Sequence, residues 1–114
     1  RSFQRKLLVS GIGRRNTLVV GFNPKSVEIA EAIKRNPPLG LDVIGYVAVK
    51  EENVGKSGAG LKVISTLSEI EKLIADYSIK EIIISLESHE NQEMLRVVSA
   101  CDKMGVTIKI VPDL

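Results

Sequence analysis

The sequence predicts an α/β domain in which a parallel sheet is wrapped by helices. Two observations carry this. Short β-branched runs such as Thr17-Leu18-Val19-Val20 and Ile82-Ile83-Ile84 are apolar throughout rather than alternating, as strands buried on both faces are. Between such runs lie stretches with apolar residues at helical spacing, so strands and helices alternate along the chain. The 114 residues suffice for one domain, and a hydrophobic fraction of 44% is enough to fill its core.

The elements follow in order. The first strand, residues 17–20, ends at Gly21. Asn23-Pro24 then opens a helix, since Asn caps and Pro suits the first helical position. Val27, Ala30 and Ile33 form its inner face, and Pro37, Pro38 and Gly40 end it. Residues 43–49 read as the second strand. The polar, glycine-rich stretch 50–60 reads as a mobile loop, and a short strand follows near 62–64. Thr66 with Glu69 matches a capping box, ahead of a helix whose inner face is Leu67, Ile70, Leu73, Ile74 and Tyr77. Residues 81–86 form the next buried strand. A helix over 90–104 turns Leu95, Val98 and Cys101 inward and stops at Gly105. Residues 106–111 form the last strand, closed by Pro112. Right-handed crossovers then give a doubly wound, Rossmann-like parallel sheet of about five strands, in an order near 3-2-1-4-5.

Composition narrows the function classes. Cys101 is the single cysteine, so no internal disulfide forms, and with one histidine no clustered Cys/His zinc site is available. No metal site is expected. No apolar run approaches a membrane span, and the start lacks a secretory signal. A chain that begins at Arg1 and ends in Val-Pro-Asp-Leu is expected to be a piece of something longer. Residues 1–15 form a basic leader carrying Arg1, Arg5, Lys6, Arg14 and Arg15, and residues 16–114 form the domain, which holds all the acids. Such a leader suits an anionic lipid surface, or binds nothing at all. Nucleic acid is not expected as a partner, because the leader has one aromatic, Phe3, and the body has no basic face to continue a phosphate track.

In a doubly wound sheet, ligands sit beyond the carboxyl ends of the strands at the switch point. That places the candidate site at Gly21, Phe22, Asn23, Lys25 and Ser26, with Ser85 and Glu87 across the crevice. A dinucleotide turn reads G-x-G-x-x-G, and only the first glycine is present here. Pro24 removes a backbone donor, while Lys25 and Ser26 add a cation and a hydroxyl at a helix N-terminus. Two readings compete: a modified phosphate pocket for a nucleotide, NAD(P) or CoA, and a plain Asn-Pro helix cap, which the missing glycines favour. Asp42, at the usual spacing for a ribose-binding acid, falls at the wrong end of its strand; Glu51 is the candidate at the correct end, against the favoured reading of a solvated loop charge.

No catalytic residues are expected. Tyr77 and Lys80 are one residue short of the Y-x-x-x-K pair of sugar-nucleotide dehydrogenases and epimerases. Tyr77 reads as core and Lys80 as surface. His89, between Ser88 and Glu90, reads as solvated. Cys101 reads as a buried, inert thiol, and Glu28 and Glu31 as a solvated helix face.

The segments together resemble the middle of bacterial polyprenyl glycosylphosphotransferases. The resemblance rests on residues 1–8 with Gly11-Ile12-Gly13, Asn16 through Gly21, Gly45-Tyr46-Val47, Lys62-Val63-Ile64-Ser65 with Leu67, Ile79 through Ile84, and Gly105-Val106 through the closing Val111-Pro112-Asp113-Leu114. It covers essentially the whole chain. It implies a non-catalytic, Rossmann-like (CoA-binding-like) domain on the cytoplasmic face of the bacterial inner membrane, itself soluble, with a role in assembly or regulation. Its partners would be the rest of a parent membrane protein and a second copy in a homodimer. The parent would move sugar-1-phosphate from a UDP-sugar to undecaprenyl phosphate in exopolysaccharide or O-antigen synthesis, with its catalytic motifs outside this chain. Two alternatives stand beside it: a nucleotide-, NAD(P)- or CoA-sensing domain, and the N-terminal domain of a membrane sugar-nucleotide 4,6-dehydratase. A basic segment beside a membrane span on the cytoplasmic side also agrees with the positive-inside rule.

Overall fold

The structure, a computed structural model, describes residues 14–111. The leader residues 1–13, including Arg1, Arg5, Lys6 and the helical pattern read over 2–9, lie outside the described residues, as does the closing segment 112–114. The elements are β1 (Arg15–Val20), α1 (Pro24–Lys34), β2 (Leu41–Ala48), β3 (Ser57–Gly58), β4 (Leu61–Thr66), α2 (Ile70–Asp76), β5 (Glu81–Ile84), α3 (Met94–Met104) and β6 (Thr107–Ile110). Turns of 3-10 helix occupy Pro37–Leu39, Glu51–Asn53, Leu67–Glu69 and Ser88–Glu93.

The six strands lie in the order β3-β4-β2-β1-β5-β6. Every neighbouring pair is parallel except β3 with β4. With the two-residue β3 set aside, this is the expected 3-2-1-4-5 order. The apolar runs form central strands because both of their faces are covered. Leu18, Val20, Ile82 and Ile84 pack against α2 and α3, through Leu73, Ile74, Val97 and Cys101. Val19, Tyr46 and Ala48 face the other way, toward Ala30 of α1. Fully burying one such aliphatic side chain contributes roughly 1.5–3 kcal/mol, so these central strands contribute a large share of the core.

Several expectations change. Residues 50–60 are a hydrogen-bonded hairpin rather than a free loop. Gly55 N–H donates to the Val63 carbonyl and Val63 N–H to the Lys56 carbonyl, at 2.9 and 2.8 Å. Tyr46 Oη donates to the Gly58 carbonyl at 2.9 Å, and Lys34 Nζ to the Ala59 carbonyl at 2.9 Å. A Cβ on Gly58 would lie 2.7 Å from Val27 Cγ2, so the hairpin is seated directly on α1.

The third helix starts later and turns differently. The 3-10 turn Ser88–Glu93 precedes Met94, and the inward residues are Val97, Ala100 and Cys101. Leu95 is 77% exposed and Val98 36%. Tyr77 lies just past α2 and is exposed rather than in the core. Thr66 caps nothing with its side chain, because the chain enters α2 through a 3-10 turn; its hydroxyl meets the Ser68 hydroxyl instead. Among the described residues, no helix is long and apolar enough to cross a membrane.

Candidate functional site

β1 delivers Gly21 to the carboxyl edge of the sheet, where its φ of +107° lies in the region that favours glycine. The constraint is also spatial: a Cβ there would sit 2.2 Å from the Ser85 carbonyl oxygen. Gly21 N–H donates to the Val47 carbonyl at 2.7 Å. The next turn closes on itself. Asn23 is extended (φ −158°) and caps α1. Its Oδ1 accepts from Ser26 N–H at 2.9 Å, and Ser26 Oγ accepts from Asn23 N–H at 2.9 Å. This reciprocal cap leaves Asn23 Nδ2 free to cross the crevice, where it donates to the Ser85 carbonyl at 2.8 Å.

Beside this bridge lies a cleft of about 200 Å³, formed by Asn23, Pro24 and Lys25 at the start of α1, Ser85 and Glu87 after β5, and Val111 after β6. Drug-sized ligands and cofactors use pockets of roughly 300–1,000 Å³, so this cleft is fragment-sized. The structure thus brings together four of the candidate residues: Asn23, Lys25, Ser85 and Glu87. Gly21 lies beneath the bridge, and Ser26 is fully buried as part of the cap. Phe22 turns into the core, where it meets Tyr46 edge-on with ring centroids 5.2 Å apart. Glu51 is exposed in the 3-10 turn after β2 and does not line the cleft.

Glu87 and Glu90 form a second reciprocal cap, with Glu87 N–H donating to Glu90 Oε1 at 3.1 Å. His89 Nε2 stands 4.0 Å from Glu87 Oε1, and both side chains are more than half exposed. One ligand atom from each of these three residues falls within 4.8 Å of the others, but both carboxylates already serve the cap. Burial pushes the Cys101 thiol up to about 11, which keeps it protonated and unreactive.

Two leader cations are engaged by the domain. Arg14 forms an ion pair with Asp42, and its guanidinium holds that carboxyl below its usual range. Arg15 lies inside β1 and reaches Glu81 Oε1 at 3.1 Å. Glu81 is the residue that sequence reading passed over. It is fully buried at the amino end of β5, with Lys109 Nζ 3.1 Å from its other oxygen. Neither oxygen receives a hydrogen bond of good geometry. A lone acid opening an otherwise apolar strand was the available signal.

A parallel sheet with its crevice at the β1/β5 switch point, lined by capping side chains rather than a nucleophile and base, defines a Rossmann-like α/β domain. The chain belongs to the family described as the CoA-binding domain, which it matches over residues 1–112. It aligns over all of its length with a UDP-glucose:undecaprenyl-phosphate glucose-1-phosphate transferase from Xanthomonas campestris pv. campestris, at 24% identity over 115 residues. The chain spans 24% of that protein's length. The resemblance to the polyprenyl glycosylphosphotransferases therefore holds.

Solved structures share the fold. UDP-D-quinovosamine 4-dehydrogenase from Vibrio fischeri superposes with a TM-score of 0.71 at 15% identity, over 89% of this chain and 80% of that one. The Rex-family repressor RSP superposes with a TM-score of 0.69 at 18% identity, over 97% and 58%. RSP in complex with β-NAD+ and operator DNA gives 0.66 at 18% identity, over 99% and 52%. At these identities the likeness is one of fold.

Proposed function

We propose that this chain is a non-catalytic domain of a membrane sugar transferase that moves sugar-1-phosphate from a UDP-sugar to undecaprenyl phosphate, in exopolysaccharide or O-antigen synthesis. It acts there in assembly or regulation, on the cytoplasmic face of the membrane. One observation carries the reading: the whole chain aligns with only 24% of a transferase, which leaves most of that protein to hold the chemistry. The side chains at the crevice support it, because Asn23, Ser26, Glu87 and Glu90 are committed to caps. The test is a transferase assay with UDP-glucose and undecaprenyl phosphate. The isolated chain forms no lipid-linked product, whereas the parent protein does. Turnover by the isolated chain refutes the proposal.

The partners belong to the same reading. The leader's Arg1, Arg5 and Lys6 meet an anionic leaflet, each contributing about 1 kcal/mol near the surface. Arg14 and Arg15 contribute less, since their charges are directed at Asp42 and Glu81. Replacing Arg1, Arg5 and Lys6 by Gln therefore abolishes salt-sensitive binding to phosphatidylserine vesicles in a sedimentation assay, whereas Arg14→Gln leaves most of it. Equal losses from both changes would contradict this division. A homodimer doubles the mass of the purified chain in light scattering as concentration rises, and a mass that stays that of the monomer refutes it.

A further inference from the structure

We infer that the turn over residues 21–26 is a self-satisfied latch between β1 and β5 and does not receive a nucleotide diphosphate, despite the CoA of the family description and the β-NAD+ of a fold neighbour.

A diphosphate cradle needs three things: unpaired backbone amides, a second glycine where the phosphate approaches the backbone, and a third where helix meets strand. Here four of the six backbone N–H groups over residues 21–27 are taken, leaving those of Phe22 and Lys25. Gly21 N–H binds the Val47 carbonyl, Asn23 N–H the Ser26 hydroxyl, Ser26 N–H the Asn23 side chain, and Val27 N–H the Asn23 carbonyl. Pro24 has none. The place of the second glycine holds Asn23, whose amide group spans the crevice to the Ser85 carbonyl at 2.8 Å. The place of the third holds Ser26, fully buried and bonded back to Asn23.

Nor does any buried side-chain donor among the described residues wait for a ligand there. Among the described residues, the buried side-chain atoms lacking a hydrogen-bond partner are the two Glu81 oxygens, at the other end of β5. Lys25 remains at the mouth, but one ammonium beside a cleft of about 200 Å³ does not replace a ring of amides. A buried polar network with every member satisfied fixes one conformation, and the device here joins two strand ends separated by 62 positions in the chain.

Two measurements test this on the 114-residue chain. In the first, its amide resonances are followed while NAD+, CoA or UDP-glucose is raised to millimolar concentration. The Gly21, Lys25 and Ser26 signals stay in place; saturable shifts at these amides would overturn the inference. The second uses Asn23→Asp. Asp caps a helix as well as Asn does, so a simple cap survives this change. A latch does not, because a carboxylate oxygen then faces the Ser85 carbonyl. The latch predicts a Tm lower by about 4–8 °C, the shift that one lost hydrogen bond produces in a domain of this size. An unchanged Tm would mean that the Nδ2 bridge holds nothing together. Neither measurement uses transferase activity, so either outcome is independent of the proposed function.

Discussion

Glu81 shows how much one side chain depends on its surroundings. Its carboxylate is fully buried, while Arg15 and Lys109 beside it are about half exposed. The consequences of mutation are therefore asymmetric. Removing the carboxylate lets both cations move into water, but removing the cations strands a buried charge. Arg15→Ala with Lys109→Ala is expected to cost about 2–4 kcal/mol in urea denaturation, more than Glu81→Gln. A Glu81→Gln variant that is the less stable of the two would refute this asymmetry. Cys101 gives a pH signature. Its thiol is pushed up from 9.0 to about 11 by burial, so the folded state favours the protonated form. This contribution is complete below the unfolded thiol's value and is lost as pH rises from there toward the folded value. Native protein at pH 8 should alkylate slowly with iodoacetamide, and urea-unfolded protein rapidly.

The elements show where sequence periodicity was informative and where it failed. β1, β2 and β5 were legible because a strand covered on both faces has almost no polar residues. β3 was not legible: Ser57 and Gly58 carry no strand signal, and their place is set by Tyr46 Oη and by contact with Val27. α3 was misphased because Leu95, Val98 and Cys101 keep helical spacing as well as Val97, Ala100 and Cys101 do. The helix turns its smaller residues to the sheet, and the 3-10 turn Ser88–Glu93 sets that phase. The candidate crevice was legible from topology alone. The Asn23 bridge was not, since it depends on where the Ser85 carbonyl falls. The hairpin makes a local prediction. Tyr46→Phe removes one hydrogen bond, worth about 1 kcal/mol, and amide exchange at Ser57 and Lys62 should accelerate more than exchange at Ile82 in β5. Uniform acceleration across the sheet would show that Tyr46 supports the whole core and not the hairpin in particular.

For the whole molecule, the strand order has a temporal consequence. The first described strand, β1, lies in the interior of the sheet, flanked by β2 and β5. Its pairing with β2 closes a short loop, but its pairing with β5 must wait for both to be present and closes a much longer one, from Thr17 to Glu81. Loop-closure entropy grows with length, and non-local parallel pairing is slow. A nascent chain that has emerged only through β4 can assemble four of the six strands, with one flank of β1 bare and apolar. Completion comes when β5 slides into that vacant flank. Residues that join the early strands to β5, Asn23 at one end and Arg15 at the other, thus act as fasteners on a seam that must wait for β5.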